Sequence, residues 1–207
     1  MSSTKHLLDP ELRAMADGPF LQNLNDAKIA RVREAMGDQV PALADPQPHG
    51  LYRKEIFIAQ DDAPNVRCLL YGVDSAPKTS LTAAYLHVHG GGYLFGSPEG
   101  SDPMNLYIAR ELGITVLSVD YRLAPENPIP APLDDCYAAL GWLHQNAADL
   151  GVDPQRIGIG GESAGGGLAA ALAIKARDEG EYSICWQALT YPMLDDRTGS
   201  AENPGDP

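Results

Sequence analysis

No histidine follows Ser163 in this chain, no two cysteines form a C-x-x-C pair, 15 basic residues face 28 acidic ones, and no apolar run is long. Most of these absences remove a class of function. A formal net charge of −13 offers no basic patch for nucleic acid or an anionic membrane surface, which are recognised through clustered Lys and Arg. Without about 18 consecutive apolar residues there is no candidate transmembrane helix. The opening "MSSTKHLLDPELRAMADG" also lacks the apolar core of a secretory signal, so the cytoplasm is the expected compartment. Cys68, Cys136 and Cys185 are widely spaced, each within an apolar run. They read as buried free thiols, because their spacing supports neither a disulfide framework nor a zinc site.

What is present is an ordinary globular composition, 44% apolar and 21% charged in 207 residues. A chain of that length buries about 70% of its unfolded surface without a covalent staple. Asp9-Pro10 reads as an N-cap and first helical residue of a short helix ending at Gly18-Pro19. A second helix is expected from Asp26 to Met36, with Ile29, Val32 and Met36 on one face and Gly37 as its stop. The proline-rich "PALADPQPHG" then reads as a linker, which makes residues 1–50 a helical segment of their own.

The hydrophobic period changes after it. Alternation in "KEIFIAQ" and "NVRCLLYG" predicts two half-buried strands in a hairpin. The runs "LTAAYLHVH", "ITVLSVD", "RIGIGG" and "YSICWQALTYP" are continuously apolar, as strands buried on both faces of a parallel sheet are. Helical stretches near 102–112, 132–146 and 164–177 separate them. Strand and helix in alternation predict an α/β fold with a mostly parallel sheet and helices on both faces. The core is expected over residues 51–196, and 197–207 form a tail without core-forming residues.

Two constellations carry chemistry. Gly161-Glu162-Ser163-Ala164-Gly165 is a G-x-S-x-G between an apolar strand and an alanine-rich helix. That setting demands a sharp, strained turn that lifts the serine Oγ clear of the sheet. The flanking glycines are needed because a Cβ there would collide with the adjoining strand and helix. The helix N-terminus points free N–H groups and partial positive charge at whatever Ser163 attacks. The second constellation, "HVHGGGYLFGS", ends a buried strand in three glycines whose N–H groups a ligand can approach closely. Acyl transfer needs such donors where the tetrahedral oxyanion forms, each contributing about 3–4 kcal/mol to the transition state.

Together "HGGGY", "DYRLAPENPIPAPLDD", "GGESAGG" and "YPMLDD" resemble the hormone-sensitive-lipase-like carboxylesterases of the α/β-hydrolase fold, from about Leu8 in "LDPELRAM" to about Asp196. The resemblance implies that Ser163 is the nucleophile and that Gly91, Gly92 and the Ala164 N–H form the oxyanion hole. His89 and Gly90 then support the glycine loop, His89 bracing it through its ring, while Gly161, Glu162 and Gly165 shape the elbow. Asp120, Tyr121 and Arg122, with Glu126, correspond to a segment beneath the site and read as a buried charged network. Residues 1–50 would belong to a cap over the acyl pocket, with Tyr93, Leu94 and Phe95 either at its entrance or packing the loop. A small-molecule ester is the implied partner, and neither metal nor organic cofactor is implied.

Two departures stand out. Glu162 occupies a position where aspartate is commoner, which keeps the carboxylate. More seriously, a serine hydroxyl needs a base and an acid to orient that base, and the fold orders them after the serine. His6, His49, His87, His89 and His144 all precede Ser163, so no position matches the expected histidine or acid. His87 is expected to be packed and His89 committed; Asp195 and Asp196 read as solvated loop residues. The expectation is a sheet whose edge is "SICWQALTY", exposing Trp186 and Leu189 and inviting self-association.

Overall fold

The computed structural model describes residues 4–7, 9–12, 24–37, 43, 45–74 and 80–197. The chain divides into two compact units, Met1–Asp38 with Asp195–Pro207, and Gln39–Leu194.

In the first unit, α1 spans Asp26–Gly37. Asn25 caps it, its Oδ1 accepting the N–H of Lys28 at 3.0 Å. Asp9 Oδ1 accepts the N–H of Glu11 at 2.9 Å, but the element it opens is the 3-10 turn Pro10–Leu12. The rest of the helix expected up to Gly18 lies outside the described residues, as does the tail after Arg197. The Asp195 carboxylate is taken by the Arg197 guanidinium at 2.7 and 2.8 Å.

The second unit is built on six strands: β1 Leu51–Ile58, β2 Val66–Val73, β3 Thr82–Val88, β4 Thr115–Asp120, β5 Val152–Glu162 and β6 Trp186–Thr190. Their order across the sheet is β1-β2-β4-β3-β5-β6. The expected hairpin β1–β2 is antiparallel and joins β4 antiparallel, whereas β4, β3, β5 and β6 run parallel. Helices α2 (Asp102–Leu112), α3 (Ala131–Gln145), the single turn α4 (Ala147–Leu150) and α5 (Ala164–Glu179) complete the unit.

Strand alternation decides which helix covers which face. Cys68, Leu70, Leu86, Val88, Leu117, Val119, Ile157 and Ile159 pack with Cys136, Ala139, Leu140 and Leu143 of α3 and Leu168, Ala169 and Leu172 of α5. The intervening residues Leu69, Tyr71, Tyr85 and Val116 face the other way and meet Ala109 of α2. The α2 face is the less covered. An open groove of about 860 Å³ runs along it between α2 and β6, lined by Tyr85, Met104, Ile108, Leu112, Trp186 and Tyr191, among others.

Strand β6 lies at the sheet edge, with Trp186 56% exposed. Leu189 departs from expectation: its side chain points to the α5 face and packs, half-buried, against the main core. Cys185 is a second correction, being exposed where burial was expected. It sits just before β6, where its N–H reaches Ile157 O at 3.0 Å, and among the described residues no outer strand covers its flank. Cys68 and Cys136 are buried and free, and burial pushes both thiols well above their ordinary range. Among the described residues, no helix is long and apolar enough to cross a membrane.

Candidate active site

Strand β5 ends at Glu162 and α5 begins at Ala164, which leaves Ser163 alone at the turn with φ 55° and ψ −117°. A non-glycine residue held in such a region costs about 1–3 kcal/mol and persists only where its surroundings fix it. Here they do. The Ser163 N–H donates to Thr190 O at 2.9 Å, and its carbonyl accepts from the N–H groups of Gly167 and Met193, each at 3.0 Å. A Cβ on either Gly161 or Gly165 would fall on the carbonyl oxygen of Val88, well inside van der Waals contact. Strand β3 thus passes so close to the turn that the flanking positions accept only glycine.

The loop after β3 packs directly on this turn. A Cβ on Gly90 would lie 3.0 Å from Glu162 O and 3.6 Å from Ser163 Cβ. Gly91 has φ 127°, and its carbonyl accepts the N–H groups of Leu94 and Phe95 at 3.1 and 2.9 Å. A side chain at Gly91 would strike Phe95 O, whereas Gly92 faces open space. Among the described residues, no backbone acceptor takes the N–H of Gly91, Gly92 or Ala164. The Ala164 N–H opens α5, where helix geometry leaves the first amides unpaired and partially positive.

His89 sits behind the glycines, buried. Its ring stacks on Tyr121 with centroids 4.2 Å apart, and its Nδ1–H donates to Gly90 O at 2.8 Å. Tyr121 completes the clamp, its hydroxyl donating to His89 O at 2.9 Å. Burial depresses the His89 pKa to about 4, so the ring is neutral at pH 7. Its Nε2 is buried without a hydrogen-bond partner among the described residues. Tyr93, at φ 62°, packs against the main core, and its carbonyl accepts the Ala124 N–H at 2.9 Å. Leu94 and Phe95 are half-buried.

The charged segment underneath divides in two. Asp120 accepts from Arg67 at 2.9 Å, and the same guanidinium also binds Glu55 and Glu99. Burial raises the Asp120 carboxyl despite that partner. Arg122 grips Asp135 with its guanidinium at 2.8 Å and its backbone N–H at 2.8 Å. Glu126 is exposed on the turn that follows, not buried with them.

His87 is packed in the sheet, its Nδ1 2.8 Å from Ser118 Oγ and its Nε2 3.2 Å from Glu162 Oε2. Sequence reasoning had no way to pair His87 with Glu162, because only the strand register brings them to one face. His144 lies on α3 with Nε2 2.9 Å from Ser183 O. His49 is exposed in the turn before β1. Among the described residues, no three His, Cys, Asp or Glu side chains gather to hold a metal.

A family model described as the alpha/beta hydrolase fold matches residues 85–206. Carboxylesterase NlhH of Mycobacterium tuberculosis is 48% identical over 107 residues, 52% of this chain and 34% of NlhH. Esterase LipI of the same organism is 35% identical over 190 residues, 91% of this chain and 58% of LipI. The crystal structure of esterase LipW from Mycobacterium marinum superposes with a TM-score of 0.80 at 32% identity, covering 97% of this chain and 63% of LipW. The chain therefore spans between about a third and three fifths of the length of these relatives.

Proposed function

The chain belongs to the hormone-sensitive-lipase-like carboxylesterases of the α/β-hydrolase fold, and from that premise we propose that Ser163 attacks short-to-medium acyl esters and forms an acyl-enzyme. In this reading Ser163 Oγ adds to the ester carbonyl while a base takes its proton. The oxyanion that develops accepts hydrogen bonds from the N–H groups of Gly91, Gly92 and Ala164. The tetrahedral adduct then expels the alcohol, protonated by the same base, and water releases the acid by the reverse sequence. The observation that carries the reading is the strained Ser163 turn packed against Gly90, with unclaimed amides on both sides.

The base and its orienting acid come, on this proposal, from polypeptide outside the described residues. His87 has both ring nitrogens engaged, His89 is neutral and buried in its brace, and Asp195 is paired with Arg197. Oxyanion donors and binding alone leave about 10³-fold acceleration over water. The same commitment of the histidines favours a second reading, a non-catalytic ligand-binding protein on this fold. A cytoplasmic setting belongs to the proposal and is supported by three free cysteines.

A fluorophosphonate probe separates the readings, since it reacts only with an activated serine. Esterase function requires a covalent adduct on Ser163, ester turnover, and loss of both in Ser163→Ala. An unlabelled Ser163 in protein that binds but does not turn over esters would overturn the enzymatic reading.

A further inference from the structure

The most unusual neighbour of the elbow is not catalytic in any step above. Register pairs His87 of β3 with Ser118 of β4 and with Gly160 of β5. Gly160 carries no side chain, so the imidazole reaches past it to Glu162, two residues along β5 on the same face. There Nε2 stands 3.2 Å from Glu162 Oε2, while Nδ1 lies 2.8 Å from Ser118 Oγ and 3.3 Å from Asn105 Nδ2 of α2. The ionised Glu162 carboxylate can only accept, so the Nε2 proton points at Oε2. His87 therefore donates to Glu162.

The ring is fixed on every side. It is 1% exposed, and Tyr85 lies beside it with ring centroids 6.0 Å apart. The contact with His87 is the largest influence on Glu162 and holds its carboxyl below the usual carboxylate range. Glu162 is the residue immediately before Ser163, and its carbonyl is the atom against which Gly90 packs. One imidazole thus ties β4 and α2 to the last residue of β5, where the chain must enter the strained turn.

We propose that His87 is a positioning residue that acts through Glu162 to hold the Ser163 turn and the face it presents to the glycine loop. The inference deepens the esterase reading and rests on it for its catalytic consequence. The geometric part stands without turnover. Through the Nε2–H···Oε2 bond, the side chain of Glu162 is anchored to the centre of the sheet, and the peptide joining Glu162 to Ser163 loses its freedom to rotate.

Amide hydrogen exchange tests this without requiring activity. Exchange is followed at the Ser163 N–H, which donates to Thr190 O, in wild type, His87→Gln, His87→Ala, Glu162→Ala and the His87→Ala/Glu162→Ala double variant. Each alanine variant should lower Ser163 protection about tenfold relative to amides of the β1–β2 hairpin. The double variant should lose no more than either single one, as expected of two residues acting through one link. His87→Gln, whose amide keeps an N–H, should recover most of the protection. Unchanged protection, additive losses, or a loss equal at every amide would overturn the inference.

In whole protein that turns over ester, His87→Ala should lower kcat about tenfold with KM within about twofold, and His87→Gln should restore kcat. Wild-type protein that hydrolyses no ester would remove the esterase reading, while the exchange pattern would still decide whether His87 positions the turn.

Discussion

Acidifying the protein from pH 7 to pH 4 puts a proton on His89 in the unfolded chain long before the folded chain accepts one. The folded ring is depressed from 6.5 to about 4, first by burial, against the opposing pull of its bond to Gly90. Above pH 6.5 neither state holds the proton, so His89 adds nothing to the pH dependence. Below it the unfolded state binds protons that the folded state refuses, and stability falls until the folded pKa is reached. At about 1.4 kcal/mol per pH unit, the loss approaches about 3 kcal/mol near pH 4. The ring is 2% exposed, so solvent does not discount it. Carboxylates titrate in the same window, and the measurement must therefore be a difference. Urea unfolding of wild type and His89→Gln at pH 7, 5.5 and 4 supplies it, because the variant lacks only this titration. Wild type should lose its advantage over the variant by about 3 kcal/mol between pH 7 and 4. A gap that stays constant with pH would show that His89 takes up its proton in the folded state, and the account of a neutral brace would fail.

Glycine-to-alanine changes inside a helix ordinarily stabilise by up to about 1 kcal/mol, yet Gly165→Ala should destabilise by about 2 kcal/mol. Its Cβ meets the backbone carbonyls of Val88 and His89, which cannot swing aside; an alanine variant of wild-type stability or better in urea would refute this. We also expect the β6 edge to self-associate. Trp186→Lys should then shift the sedimentation coefficient towards that of a single 22.1 kDa chain, since lysine on an edge strand opposes pairing; wild type that already sediments as a sharp monomer would contradict it.

The central strands β2 to β5 could be read from their apolar runs because most of their residues are buried. Runs such as "ITVLSVD" and "RIGIGG" admit no other assignment once their lengths exclude long helices. The elbow was legible for a different reason: the two glycines flanking Ser163 are demanded by close approach of Val88, and so sequence spacing encodes a three-dimensional distance. Strand order was not legible, because the placement of β4 between β2 and β3 depends on crossovers that leave no local pattern. The His87–Glu162 bond was hidden likewise, being a consequence of register between strands 75 residues apart. The two departures run in opposite directions: Cys185 lies in an apolar run yet is exposed, whereas Leu189 lies on the edge strand yet packs against the core. At the edge strand, alternate residues face a helix or nothing, and position along the strand decides which.

Ser163 is tethered through its own backbone to Thr190 and Met193, at the end of and just beyond the least covered strand. Proteins open in parts, and edges open first. The geometry of the serine is therefore governed by the local opening of five residues at the rim, not by the melting of the whole molecule. A sample can keep its core, its far-ultraviolet spectrum and its main transition while the elbow has already relaxed. Covering β6, by whatever means, would tighten the serine without touching it.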